Sequence, residues 1–180
     1  MGVLSLQGDF LEHLKYFSSL AKVREVRNKS DLDGLDAIVF PGGESTTIGK
    51  MLKRQNLRDL LIKKIKGGLL TLGTCAGSII LGRGSEYSMN LIDLEVERNA
   101  YGRQLDSFEV KLDISSLGED KFSCCFIRAP KFSKVGKGVE VLASYKRFPI
   151  FVRQKNIVCT SFHPELADDR FAEFFCGLRL

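Results

Sequence analysis

The sequence predicts an α/β fold: a mostly parallel sheet with helices on both faces, supplemented by extra antiparallel strands. Three observations lead there. Short, nearly continuous apolar runs (Gly2–Leu6, Ala37–Phe40, Leu69–Leu72 and Ile157–Thr160) have the length and composition of strands buried on both faces. Amphipathic segments at helical spacing lie between the earlier of these runs. Glycine-rich turns follow two of the strands directly, Pro41-Gly42-Gly43 and Gly73-Thr74-Cys75-Ala76-Gly77. A strand–helix–strand rhythm of this kind makes neighbouring strands parallel, because the helix carries the chain back across the sheet.

The elements follow in order. Gly2–Leu6 is a buried strand, and the spacing of Phe10, Leu11, Leu14, Phe17 and Leu20 predicts a helix with these residues on its inner face. Val23–Val26 is a short strand, 31–36 a polar turn, and Ala37–Phe40 a second buried strand. Ser45–Lys66 reads as two helices broken near Gln55-Asn56 and stopped by Gly67-Gly68, with Ser45 as an N-cap. Leu69–Leu72 is a third buried strand, and Ser78–Leu81 begins a helix. From about Leu91 to Thr160 helical periodicity fades. Pieces such as Phe108–Leu112 and Val139–Leu142 are expected at the sheet edge or in a small appended sheet. Ile157–Thr160 returns to the core, and Leu166–Leu178 closes the chain as a helix. With no repeat or linker, residues 1–180 are expected to form one domain.

Composition removes several classes. The 180 residues are 44% hydrophobic and 27% charged, the profile of a globular protein. The net charge of +5 is spread along the chain, and its densest cluster, Lys63-Lys64-Ile65-Lys66, reads as a solvated helix face. A nucleic-acid partner is therefore not expected. The longest stretch without a charge, Gly67–Gly82, is shorter than the roughly 20 residues of a membrane span and rich in glycine. No secretory leader is apparent. Five cysteines without a Cys-x-x-Cys pair argue against a disulfide framework and a zinc site, and favour the cytoplasm. Neither a metal nor a cofactor is expected.

Gly73-Thr74-Cys75-Ala76-Gly77, between a buried strand and a helix, has the form of a nucleophile elbow, a tight turn that lifts a reactive side chain above the sheet. A helix N-terminus also favours a thiolate. Of the two histidines, His13 reads as an ordinary residue on a helix surface. His163, in Ser161-Phe162-His163-Pro164-Glu165, follows a core strand. Pro164 biases it toward extended backbone, so that His163 and Glu165 point the same way and the carboxylate can orient the imidazole. The carboxyl ends of parallel strands share one edge, so Cys75 and His163 are expected to converge there. Pro41–Thr47 follows another such strand and offers backbone N–H groups for an oxyanion. A phosphate loop is excluded, because Glu44 stands where its glycine should be and Met51 where it needs Ser or Thr.

These motifs together resemble the class I (triad) glutamine amidotransferases, which have a flavodoxin-like parallel sheet. Further stretches are similar to the glutaminase subunits of pyridoxal 5′-phosphate synthases. They are Leu6-Gln7-Gly8 with Glu12-His13, Pro41–Thr47, Glu97-Arg98-Asn99 through Gly102-Arg103-Gln104, Asp106-Ser107-Phe108, Phe126–Pro130 and Ser161–Leu166. The resemblance spans nearly the whole chain. It implies that Cys75 attacks the glutamine amide, His163 shuttles protons and Glu165 orients His163. Gly43 and Ala76 would form the oxyanion hole, and Gly43, Glu44, Ser45, Arg98, Ile127 and Arg128 would bind glutamine. It also implies a partner, a synthase subunit in a large hetero-oligomer, which receives the ammonia and builds pyridoxal 5′-phosphate from ribose 5-phosphate and glyceraldehyde 3-phosphate. Gln7 is expected to act as a partner-coupled switch near the oxyanion hole. The segment between Leu81 and Leu91 is short for this family. The alternatives are the glutaminase of another amidotransferase, such as imidazole glycerol phosphate synthase, and a stand-alone γ-glutamyl cysteine hydrolase.

Overall fold

The structure, a computed structural model, describes residues 1–98 and 107–178. Asn99, Gly102, Arg103, Gln104 and Asp106, which contribute to the resemblance, lie outside the described residues. The elements run β1 (Gly2–Leu4), α1 (Phe10–Phe17), β2 (Arg24–Val26), β3 (Ala37–Phe40), α2 (Ser45–Arg54), α3 (Arg58–Lys66), β4 (Leu70–Thr74) and α4 (Ala76–Leu81). They continue as β5 (Leu94–Glu97), β6 (Ser107–Leu112), β7 (Phe122–Ile127), β8 (Lys131–Val135), β9 (Glu140–Tyr145), β10 (Phe148–Gln154), β11 (Ile157–Thr160) and α5 (Arg170–Gly177).

The main sheet has the order β2-β1-β3-β4-β11-β10-β9. The first five of these strands are parallel, and β10 and β9 extend the sheet in antiparallel pairings. The late β-rich segment supplies both forms expected of it: the sheet edge, and two separate hairpin-like pairs, β5 with β8 and β6 with β7. Register matters most at β3, β4 and β11. Phe40 pairs with Gly73, and Thr160 pairs with Thr74, so these three strands end nearly level and their exit loops share one rim.

Alternation along the buried strands feeds two cores. On β3, Ile38 and Phe40 face a layer built from α2, α3 and α4 (Ile48, Leu52, Leu61, Ile65, Ile80), while Val39 faces α1 and α5 through Phe17, Phe171 and Phe175. The break between α2 and α3 falls where expected, with Asn56 at a φ of 54°, and α3 ends at Gly67.

Two helices differ from their sequence patterns. α1 stops at Phe17, and its inner face is His13, Tyr16 and Phe17, leaving Leu11 61% exposed and Leu20 outside the helix. α5 begins only at Arg170, because Pro164–Leu166 forms a separate 3₁₀ turn.

Phe162 sits at the centre of the second core, with ring centroids 6.0–6.3 Å from Phe122, Phe126, Phe151 and Phe171. It is fully buried and immediately precedes His163. Phe162→Ala should lower unfolding free energy by about 3–5 kcal/mol, the usual cost of a phenylalanine-sized core deletion. Urea denaturation measures this, and a loss under about 1 kcal/mol would contradict the packing described.

Candidate active site

Cys75 lies between β4 and α4 at φ 48° and ψ −105°, a conformation that costs a non-glycine residue roughly 1–3 kcal/mol. The surrounding structure enforces it. The Cys75 N–H donates to the Thr160 carbonyl at 2.9 Å, and Ser78 Oγ lies 2.8 Å and 2.9 Å from the carbonyls of Gly73 and Thr160. A Cβ on Gly77 would fall 1.9 Å from the Phe40 carbonyl oxygen. Glycine there is a requirement of the close approach between the elbow and β3. Ala76 opens α4, where a first-turn N–H has no acceptor within its own helix.

β11 delivers His163 to the same rim. Its Nδ1 lies 2.6 Å from Glu165 Oε1 and 2.9 Å from Asp9 Oδ2, and its ring lines the same cleft as Cys75. With Nδ1 at the carboxylates, Nε2 is the nitrogen left for sulfur. Burial opposes a charge on His163, but the hydrogen bonds with Asp9, Cys75 and Glu165 outweigh it and hold the imidazole well above its ordinary 6.5. The arrangement favours an imidazolium beside the sulfur.

The loop after β3 forms the next wall. Gly43 has a φ of 136°, and a Cβ there would lie 2.7 Å from Gln7 Oε1. That same oxygen accepts the Glu44 N–H at 2.7 Å. The Glu44 carboxylate caps α2, accepting the N–H groups of Thr46 and Thr47 at 3.1 Å and 2.6 Å, and pairs with Arg98 at 2.7 Å. Ile127 ends β7, and its carbonyl lies 3.9 Å from Cys75 Sγ. Arg128 follows it at a φ of 45°.

All eleven residues singled out from the sequence line one cleft of about 840 Å³: Gln7, Gly43, Glu44, Ser45, Cys75, Ala76, Arg98, Ile127, Arg128, His163 and Glu165. A larger cleft, about 990 Å³, opens among Met1, Ala37 and Leu70 at the opposite ends of the strands and holds no histidine. Among the described residues, Asp9, His13 and Glu165 bring possible ligand atoms within 4.8 Å of one another. Asp9 Oδ2 and Glu165 Oε1 face His163, and His13 faces the Asp9 carbonyl and Thr74, whereas Asp9 Oδ1 and Glu165 Oε2 accept no hydrogen bond.

This geometry can generate a nucleophilic sulfur, move a proton beside it and hold a small polar molecule over both. Its family is decided by comparison. The model of the SNO glutamine amidotransferase family matches residues 3–178. The chain belongs to this family. Proteins named pyridoxal 5′-phosphate synthase subunit PdxT are similar to this SNO-family chain over nearly its whole length. The one from Thermosipho africanus is 45% identical over 99% of this chain and 97% of its own. One from Thermus thermophilus is 46% identical over 99% of this chain and 96% of its own. A crystal structure described as a glutamine amidotransferase superimposes with a TM-score of 0.92 at 43% identity, covering 99% of this chain and 97% of that one. PurLQS from Thermotoga maritima, at 17% identity and a TM-score of 0.73, shares the fold.

Three readings need correction. His13 is not on the surface: it is fully buried. Its Nδ1 lies 2.9 Å from the Asp9 backbone carbonyl, and its Nε2 lies 3.1 Å from Thr74 Oγ1 and 3.3 Å from Glu165 Oε2. His163 is extended as expected, at φ −100° and ψ 91°, but Glu165 reaches it through a turn of 3₁₀ helix over Pro164–Leu166 and not by continued extended chain. Ser45 is the first residue of α2, and Glu44 is its cap. Asp9 is a site residue that the sequence does not single out. The only available signal is its place one turn before His13, which matters once that turn is known to face inward.

Burial acts to raise the Glu44 carboxyl, but hydrogen bonds from Thr47 and Thr46 outweigh it and hold it at about 2, below the ordinary 4.5. A carboxyl lowered by folding stabilises above its unfolded pKa, and that contribution is lost as pH falls through the folded one. Glu44→Ala should therefore cost about 1 kcal/mol at neutral pH, as lost caps do. The gap from wild type in denaturation midpoint should be full above pH 4.5 and narrow as pH falls toward 2. A gap independent of pH would show that the carboxylate charge is not what caps α2.

Proposed function

We propose that this chain is the glutaminase subunit of a pyridoxal 5′-phosphate synthase, with residues 1–180 working as one glutaminase domain in the cytoplasm. It hydrolyses L-glutamine to L-glutamate and ammonia and passes the ammonia to a synthase subunit within a large hetero-oligomer. That partner joins it to ribose 5-phosphate and glyceraldehyde 3-phosphate. The full-length similarity to proteins named as PdxT subunits supports the pathway. The observation that carries the chemistry is the meeting in one cleft of Cys75 and an imidazole braced by carboxylate.

In this reading the Cys75 thiolate attacks the δ-carbonyl carbon of glutamine, and the carbonyl oxygen becomes an oxyanion. N–H groups of Gly43 and Ala76 stabilise that charge. The C–N bond then breaks, and the proton held by His163 goes to the departing nitrogen, releasing ammonia and leaving a γ-glutamyl thioester. Water attacks the thioester as His163 accepts its proton, the C–S bond breaks, and glutamate leaves with the thiolate restored. Glu165 keeps the imidazole in the productive tautomer throughout. The opposed charges of Glu44 and Arg98 suit the α-ammonium and α-carboxylate of an amino acid, and Arg128, Ile127 and Ser45 complete the enclosure. Gln7 holds the Glu44 amide beside Gly43, so it can couple the oxyanion loop to docking of the synthase subunit.

Ammonia release from glutamine, measured with and without a pyridoxal 5′-phosphate synthase subunit, tests the proposal. The partner should stimulate turnover. Cys75→Ala should abolish it, by on the order of 10³-fold or more, while preserving the fold. Glu165→Gln should reduce but retain activity, and Gln7→Ala should lose the partner's stimulation. Near-normal turnover in Cys75→Ala would overturn the mechanism. Full activity without a partner would instead favour a stand-alone hydrolase.

A further inference from the structure

We propose that Asp9 is a positioning residue for this chemistry, a second carboxylate that shares His163 Nδ1 with Glu165 and keeps the imidazole turned toward Cys75. The inference rests on the glutaminase reading for its kinetics but not for its geometry.

The first support is a side chain diverted from its usual task. Asp9 occupies the N-cap of α1, a position where aspartate ordinarily accepts N–H groups of its own helix. Here it makes no such capping bond. Its Oδ2 instead lies 2.9 Å from His163 Nδ1. Helix stability has been forgone for a contact with the imidazole.

Packing gives the second support. A Cβ on Gly42 would fall 2.6 Å from His163 Cε1 and 2.7 Å from Asp9 Oδ2. The carboxylate and the ring are thus pressed together against bare backbone, and the Asp9 N–H reaches the Gly42 carbonyl at 3.4 Å. One turn along α1, His13 anchors the helix from behind. Its Nδ1 faces the Asp9 carbonyl, which can only accept, so Nδ1 donates there. Its Nε2 then meets Thr74 on β4 and the second oxygen of Glu165. A single helical turn therefore braces both carboxylates against the elbow.

The two acceptors are not duplicates. Both line the cleft, but the Glu165 side chain is 1% exposed and that of Asp9 22%. A single N–H shared between two carboxylates leaves one acceptor in place if the other is removed. The titratable groups around the ring are Asp9 at the cap of α1, His13 on α1, Glu165 after β11 and Cys75 at the elbow, with Cys125 of β7 also close by. Burial would raise the Asp9 carboxyl, but the hydrogen bond from His163 and the charge of His13 outweigh it and hold it at about 2, so it is ionised at neutral pH.

Two variants separate positioning from folding. Asp9→Asn is nearly isosteric, and Asp9→Ser supplies a good helix cap but no charge. With glutamine and the synthase partner, each should lower kcat on the order of tenfold with KM little changed, the size of one lost charge-assisted hydrogen bond. Asp9→Asn with Glu165→Gln should lose more than the product of the single losses, because each carboxylate covers for the other. The full chain has only two histidines, so imidazole NMR resolves His163 without any substrate. Its titration should move to lower pH by roughly one unit in both Asp9 variants. Folded variants with unmoved His163 titration and unchanged kcat would overturn the proposal. If the titration moves but the wild type releases no ammonia with its partner, the positioning stands and the glutaminase reading falls.

Discussion

The approach of Cys75 to His163 is the contact on which the cleft depends, and it exists because three strands end level. The residues are 163 − 75 = 88 positions apart. β4 and β11 are nevertheless neighbours, in a register that pairs Thr74 with Thr160. The Thr160 carbonyl then serves two purposes, accepting the Cys75 N–H and lying within reach of Ser78 Oγ. A slip of one residue between these strands would turn their side chains to opposite faces and separate sulfur from imidazole. Sheet register therefore sets the geometry of the cleft.

Glycine sets the other distances. The elbow approaches β3 so closely that Gly77 has no space for a side chain, and Gly42 leaves the gap in which Asp9 meets His163. These positions concentrate strain and polar groups at one rim. The cost is met by cores on either side of the sheet, dense in phenylalanine and buried aliphatic residues. A soft core would not hold Cys75 at a positive φ, and an elbow without that conformation would not lift the sulfur into the cleft.

Much of this is legible in the letters. Ala37–Phe40 and Ile157–Thr160 are strands with the bounds their apolar runs suggest, because a strand buried on both faces leaves an uninterrupted signature. The elbow is legible because its glycines are sterically obligatory. The orientation of α1 is not. Leu11 looks like a core residue and His13 like a surface one, yet the helix turns the imidazole inward, where Thr74, Glu165 and the Asp9 carbonyl satisfy it. Hydrophobic spacing cannot register a buried polar residue whose partners come from distant strands. The same blindness hides Asp9, whose capping position gives no hint that its carboxylate is used elsewhere.

The sharpest test of the central contact is chemical labelling by an electrophilic glutamine analogue, with the adducts located by peptide mass spectrometry in the presence of the synthase partner. Cys124 and Cys159 are fully buried, and burial pushes both thiols up to about 12, so neither competes. The account predicts one adduct, on Cys75, which nearly disappears in His163→Asn. Labelling spread over Cys125 and Cys176, or labelling of Cys75 that is indifferent to His163, would contradict it.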